Sequence, residues 1–188
     1  HLVSRCVRRS FLCGFDRLTN TDYEHRKAWL EERLIALSQC YAVELFGYAI
    51  MSNHFHLIVR YCPRAAEAWT DDEVASRWVE ASTCQSTGNE VELQLVRETL
   101  YDELLRDRER LRRARTALGS LSMFMKHLKQ PIARRANRED DCRGHFFDSR
   151  FYSGALLDER SLIAAMAYVD LNPVRAEVVA KAVQAQHT

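Results

Sequence analysis

The run Tyr48-Ala49-Ile50-Met51-Ser52-Asn53-His54-Phe55-His56-Leu57-Ile58-Val59-Arg60 constrains the fold more tightly than any other stretch. It reads as an apolar β-strand carrying two histidines one residue apart. Successive side chains of a strand point to opposite faces. His54 and His56 therefore share one face, while Phe55, Leu57 and Val59 take the other and can enter a core. Two imidazoles fixed side by side make half of a divalent-metal site. The plainer reading is a pair of hydrogen-bonded histidines on a half-exposed strand.

The flanking sequence supplies the partners of that strand. Residues 1–9 alternate loosely and include valines, so a strand is expected there. Its Arg5, Arg8 and Arg9 either open one face to an anion or mark a charged edge strand. Thr21 and Glu24 have capping-box spacing ahead of a helix over about 22–40. Residues 41–51 return to strand, and the short link Met51-Ser52-Asn53 predicts a hairpin with 54–61. Pro63 ends that strand, and Thr70 with Glu73 caps a short helix bearing Trp78. Residues 82–89 are polar and turn-rich. Residues 91–117 look helical, and after Gly119-Ser120 a helix resumes over 121–135, with Met123, Phe124, Met125 and Leu128 as core. A charged loop over 137–144 leads to an aromatic strand over 145–157. Asp158 then caps a helix running through Leu171, apolar enough to be buried on most sides. Asn172-Pro173 breaks or re-caps it. Strand, helix, two strands, a helical insertion, strand and helix make an α+β, split βαβ pattern: a small antiparallel sheet with helices packed on one face. The chain of 188 residues is read as a single domain with a basic helical insertion at about 66–136.

Hydrophobic content of 47% supports a sizeable core, and 28% charged residues argue against wholesale disorder. No apolar run approaches the roughly 20 residues of a membrane span, so no membrane partner is expected. The opening residues read as a strand rather than a signal peptide; whether residues precede His1 stays open. Cys6, Cys13, Cys40, Cys62, Cys84 and Cys142 form no C-x-x-C pair. Scattered thiols of this kind suggest a reducing, cytoplasmic setting. Net charge is only +1, yet residues 106–143 hold 12 basic against five acidic side chains. Such a block fits a polyanion or, equally, a solvated helix face.

The second half of the candidate site lies over 100 residues downstream. Tyr168 interrupts an Ala/Ile/Leu/Met helix, where a tyrosine is core material by default. Asn172 follows four residues later, on the same face if the helix is continuous. The alternative is that Asn172 merely caps the helix begun by Pro173, since a residue before proline is pushed from the α region. Two histidines and an amide oxygen suit Mg²⁺ or Mn²⁺, with waters and a phosphate completing the shell.

The motifs together carry a family resemblance. His54-Phe55-His56 in its apolar context resembles the HUH (His-hydrophobic-His) motif of single-tyrosine transposases. Tyr168-Val169-Asp170-Leu171-Asn172-Pro173-Val174 resembles the Tyr-x-x-x-Asn-Pro-Val segment of the REP-associated tyrosine transposases, and Gly144 to Phe151 is similar to that family's approach to its last strand. The order matches from the first strand to about Val179, and the insertion only loosely. The resemblance implies a ferredoxin-like HUH nuclease fold, with the helical insertion between strands 3 and 4. It makes His54, His56 and Asn172 ligands of Mg²⁺ or Mn²⁺ and Tyr168 the nucleophile. The implied activity is cleavage and strand transfer of single-stranded or hairpin DNA, at a REP-like palindrome, through a 5′-phosphotyrosine. Arg112, Arg113, Arg115 and Lys126 could grip a hairpin backbone, while Arg5, Arg8 and Arg150 could line the path of a single strand. Monomer and homodimer both remain open, as does use of Tyr168 in cis or in trans. Three other readings compete: a non-catalytic nucleic-acid-binding module derived from a transposase, a metal-dependent hydrolase in which water attacks, and an HUH relaxase or replication initiator.

Overall fold

A computed structural model describes residues 1–7, 11–84, 89–148 and 150–185, with 173–185 as backbone alone. In chain order the elements are β1 (Leu2–Arg5), β2 (Phe15–Asp16), β3 (Thr21–Asp22), α1 (His25–Cys40), β4 (Val43–Ile50), β5 (His54–Tyr61), α2 (Ala65–Ala68), α3 (Asp71–Thr83), α4 (Glu90–Arg106), α5 (Arg108–Leu118), α6 (Leu121–Glu139), β6 (Tyr152–Ser153) and α7 (Glu159–Ala185). The fold is mixed α+β, with a four-stranded antiparallel sheet in the order β4-β5-β1-β6. The chain divides into two compact units, one of residues 1–27, 45–59 and the chain from 133 onward, the other of 28–44 and 60–132.

In the first unit, β1 lies antiparallel to β5 with Val3 opposite His56 and Arg5 opposite His54. Paired residues point to the same side, so His1, Val3, Arg5, His54, His56 and Ile58 share one face. The other face carries Leu2, Phe55 and Leu57, all buried. The expected hairpin forms between β4 and β5, closed by the Met51 N–H donating to the His54 carbonyl at 2.8 Å. Helix α7 covers the histidine face. Its Val169 packs with Ala49 and Ile58, and Leu162, Ala165 and Met166 flank them. Both faces of the sheet are therefore occupied, where helices on one face were expected.

Several expectations need correction. The β2–β3 hairpin was not anticipated; Thr21 belongs to it and does not cap α1. Asp22 Oδ1 accepts from the Glu24 N–H at 2.9 Å instead, and α1 starts at His25. The strand expected over 145–157 shrinks to a bridge and a two-residue β6. Phe147 bridges Cys6, whereas Tyr152 pairs with Val3. That is a register shift of two residues, too much for one continuous ladder. β1 stops at Arg5, and Arg8 and Arg9 lie outside the described residues. Helix α7 does not break at Asn172-Pro173 but runs unbroken from Glu159 to Ala185. It is also less buried than its composition suggests, because Ile163, Ala164, Ala167 and Leu171 face outward.

The second unit is helical apart from its strand ends. Thr70 and Glu73 form the expected capping box, and α3 packs on α4 and α5 while α2 packs on α5. The helix expected over 91–117 is two helices. Asp107 ends α4 and caps α5, its Oδ1 accepting from the N–H groups of Glu109 and Arg110 at 3.0 Å each. Phe124, Met125 and Leu128 are core, as read from sequence.

Candidate active site

Strand β5 holds the two histidines rigidly, and their surroundings decide which nitrogens are available. The rings lie with centroids 4.9 Å apart and planes 76° apart. His54 Nδ1 sits 2.7 Å from Asn53 Oδ1. An amide oxygen only accepts, so His54 donates there and leaves its Nε2 lone pair free. His56 Nδ1 lies 2.9 Å from His1 Nε2. His56 is only 5% exposed, and its Nε2 is buried without a hydrogen-bond partner among the described residues. Burial, then His54 and Arg5, push the His56 pKa down to about 4. Burial and Arg5 also lower that of His54. Both rings are thus held neutral at physiological pH, the form that ligates a metal.

Helix α7 brings the remaining pair. The stripe Leu162, Ala165, Met166, Val169 faces the sheet, and Asn172 continues it by one further turn. Tyr168 stands at the edge of the stripe. Its ring meets His56 edge-on, with centroids 5.7 Å apart at 85°, and lies 6.4 Å from the His1 ring. Tyr168 is 44% exposed, so it is not the core tyrosine that composition suggested. It lies against His56 within its own chain and remains open to solvent. Because the helix is continuous, Asn172 is not an N-cap. Its Nδ2 is buried without a partner among the described residues, and a half-turn of the amide would present Oδ1 in its place.

A divalent cation fits this donor set. Buried polar atoms normally have partners, and the unpartnered side-chain atoms found are His56 Nε2, Asn172 Nδ2 and Ser4 Oγ. Ser4 pairs with Phe55 and so lies on the far face. The other two belong to the expected ligand residues, and His54, whose ring centroid lies 4.9 Å from that of His56, keeps an Nε2 lone pair. Two imidazole nitrogens and an amide oxygen suit Mg²⁺ or Mn²⁺ with open positions. Among the described residues, no three His, Cys, Asp or Glu side chains converge on a metal-sized space; the candidate set differs in having an amide as its third member.

The basic residues divide. Arg5 is exposed at the end of β1 on the histidine face. Arg150 is exposed as well, and Arg8 lies outside the described residues. Arg112, Arg113, Arg115 and Lys126 belong to the other unit. Arg112 and Arg113 both grip Glu109, at 2.9 and 2.8 Å. Arg115 is committed to packing: it donates to the carbonyls of Ala66 and Trp69 and pairs with Asp71 at 2.7 Å. It ties α5 to the α2–α3 corner and is no open phosphate contact. Lys126 is exposed.

Compared with protein-family models, curated proteins and solved structures, the chain matches none.

Two contributors escaped the reading of the motifs. His1 and Asn53 each engage the δ nitrogen of one β5 histidine. Asn53 directly precedes the motif. His1 could be placed only through the pairing of β1 with β5, which sequence spacing does not supply.

Proposed function

We propose that this chain is a single-tyrosine HUH endonuclease, of the kind represented by the REP-associated tyrosine transposases, that cleaves and rejoins single-stranded or hairpin DNA through a 5′-phosphotyrosine. The observation carrying this reading is the Tyr168 ring set 5.7 Å from that of His56. Residues 112 positions apart in sequence, matched independently to the two halves of one motif, lie side by side. Numbering the four sheet strands in chain order gives a lateral order of 2-3-1-4, in keeping with a ferredoxin-like split βαβ sheet. No helix among the described residues is long and apolar enough to cross a membrane.

Chemically, a phenol is a weak nucleophile at neutral pH, so the phosphodiester must be activated or fixed in line. Bound Mg²⁺ or Mn²⁺ would supply Lewis-acid polarisation of a non-bridging phosphate oxygen. His54 Nε2, His56 Nε2 and the Asn172 amide would hold it. Tyr168 Oη attacks phosphorus, the P–O3′ bond breaks, the tyrosine proton is released and the departing 3′ oxygen takes one up. Reversal by a 3′-hydroxyl regenerates Tyr168, so cutting and joining need no ATP. Arg5 offers an exposed positive charge to the strand approaching the histidine face.

The test is to incubate the full chain with Mn²⁺ and labelled hairpin DNA bearing a single-stranded flank, followed by a denaturing gel. A covalent protein–DNA band, absent in Tyr168→Phe and with EDTA, is expected. Cleavage surviving Tyr168→Phe would assign the attack to water and favour the hydrolase. Binding without cleavage would favour a non-catalytic module.

A further inference from the structure

We propose that His1 is a positioning residue for the metal site, holding His56 in the tautomer whose Nε2 lone pair is free to ligate. The inference rests on the metal reading above and goes beyond the motif, which names no partner for either histidine.

The rings of His1 and His56 lie with planes 17° apart, centroids 5.1 Å apart and Nε2 of the first 2.9 Å from Nδ1 of the second. Nearly parallel rings in face-to-face contact cannot bring two atoms closer than about 3.5 Å. The pair is therefore close to edge-on, the arrangement of an in-plane N–H···N hydrogen bond. One ring donates and the other accepts.

The surroundings of His56 choose the direction. A neutral imidazole carries one N–H. Were His1 the donor, the His56 proton would have to sit on Nε2, which is buried with no partner among the described residues. That would leave a buried donor unsatisfied, at the full desolvation cost of the group. It would also cap the nitrogen needed for a metal. With His56 donating from Nδ1 to His1 Nε2, the buried Nε2 keeps a lone pair, on a ring whose centroid lies 5.7 Å from that of Tyr168. His54 is fixed in the same sense by Asn53. Each β5 histidine thus has its δ nitrogen spent on an acceptor from its own surroundings. Partners of this kind set the tautomer and ring orientation of metal-bound histidines.

His1 is also well placed for the task mechanically. Its main-chain nitrogen lies 2.9 Å from the Gly154 carbonyl, and the Gly154 N–H donates back to the His1 carbonyl at 2.8 Å. These reciprocal bonds continue the β1–β6 ladder and fix the backbone from which the imidazole projects.

Two measurements on the full chain test this. Long-range ¹H–¹⁵N correlation spectra of the metal-free protein report the His56 tautomer directly, and the Nδ1–H form is expected. Calorimetric titration with Mn²⁺ then compares variants. His1→Leu, which removes the acceptor, should weaken binding about 10- to 100-fold. His1→Gln, whose side-chain oxygen can accept in place of Nε2, should restore most of that loss, which a merely structural role for the ring would not predict. A His56 Nε2–H tautomer in the wild type overturns the proposal. So does His1→Leu binding Mn²⁺ as tightly as wild type while His54→Ala loses it. Wild-type protein that binds no Mn²⁺ overturns the metal reading itself, and this proposal with it.

Discussion

At the scale of residues, charge management separates side chains that serve the fold from those left for chemistry. Arg26 is 0% exposed. Its guanidinium pairs with Glu139 at 2.7 Å and with Asp140, donates to the Phe11 carbonyl at 2.9 Å, and lies 4.0 Å from the Tyr23 ring centroid. Every direction of that cation is spent. Arg26→Met would leave Asp140 without Arg26 and Glu139 with only His25, and should cost about 3 kcal/mol in urea unfolding, the lower end for a broken buried pair because both acids keep some solvent contact. Unchanged stability would show that the network only breaks even. His56 is the opposite case, a buried polar side chain with one nitrogen unspent. Sequence could nominate His54, His56, Tyr168 and Asn172 because their types and spacing are informative on a strand and a helix. It could not nominate Arg26, since an isolated arginine near a helix start looks like any surface residue until the chain returns at 139–140.

At the scale of elements, the decisive feature is that α7 remains one helix across Pro173. A proline inside a helix removes one hydrogen bond and crowds the preceding turn. Local rules therefore favoured a break, which would have separated Tyr168 from Asn172. Packing overrides them: Val169 is fully buried against β4 and β5 side chains, and the turn before the proline is held from the sheet side. The start of α7 obeys local rules, with the Ser161 N–H donating to Asp158 Oδ1 at 2.7 Å. Asp158→Ala removes that cap and should lower the thermal midpoint by roughly 2–4 °C. Under the proposed activity, because α7 carries Tyr168, rates of DNA cleavage should fall too, while Mn²⁺ affinity changes less than in His54→Ala. Strands were legible where alternation was strong, as in β5. β6 was not, because Phe146 and Phe147 turn inward and the ladder resumes two residues out of register. The β2–β3 hairpin left only weak marks: Gly14 and Asn20 with positive φ, and Asp16 accepting from the Leu18 N–H and the Thr19 hydroxyl.

At the scale of the molecule, acid is the natural stress. His127 is half-buried, with its Nδ1 2.9 Å from the Tyr41 hydroxyl. Burial, then Arg33 and Lys126, lower its pKa below the ordinary 6.5. Burial lowers those of His54 and His56 in the same direction. The unfolded chain therefore takes up these protons first. Stability is full above about pH 6.5 and declines as pH falls below it. Urea midpoints at pH 7 and pH 5 should show the drop, and His127→Gln, which cannot be protonated, should show a smaller one. An equal drop in both would remove His127 from the account.

The candidate site also has an order of assembly written into it. Its members come from position 1, positions 53–56 and positions 168–172, so synthesis must reach α7 before the last of them exists. Contacts this distant in sequence close late. If Tyr168 is the nucleophile proposed above, the histidine face would emerge during translation without it and could form no covalent bond to DNA. Under the proposed activity, truncated products ending before α7 would be inert toward DNA, and cutting would begin only once α7 is in place.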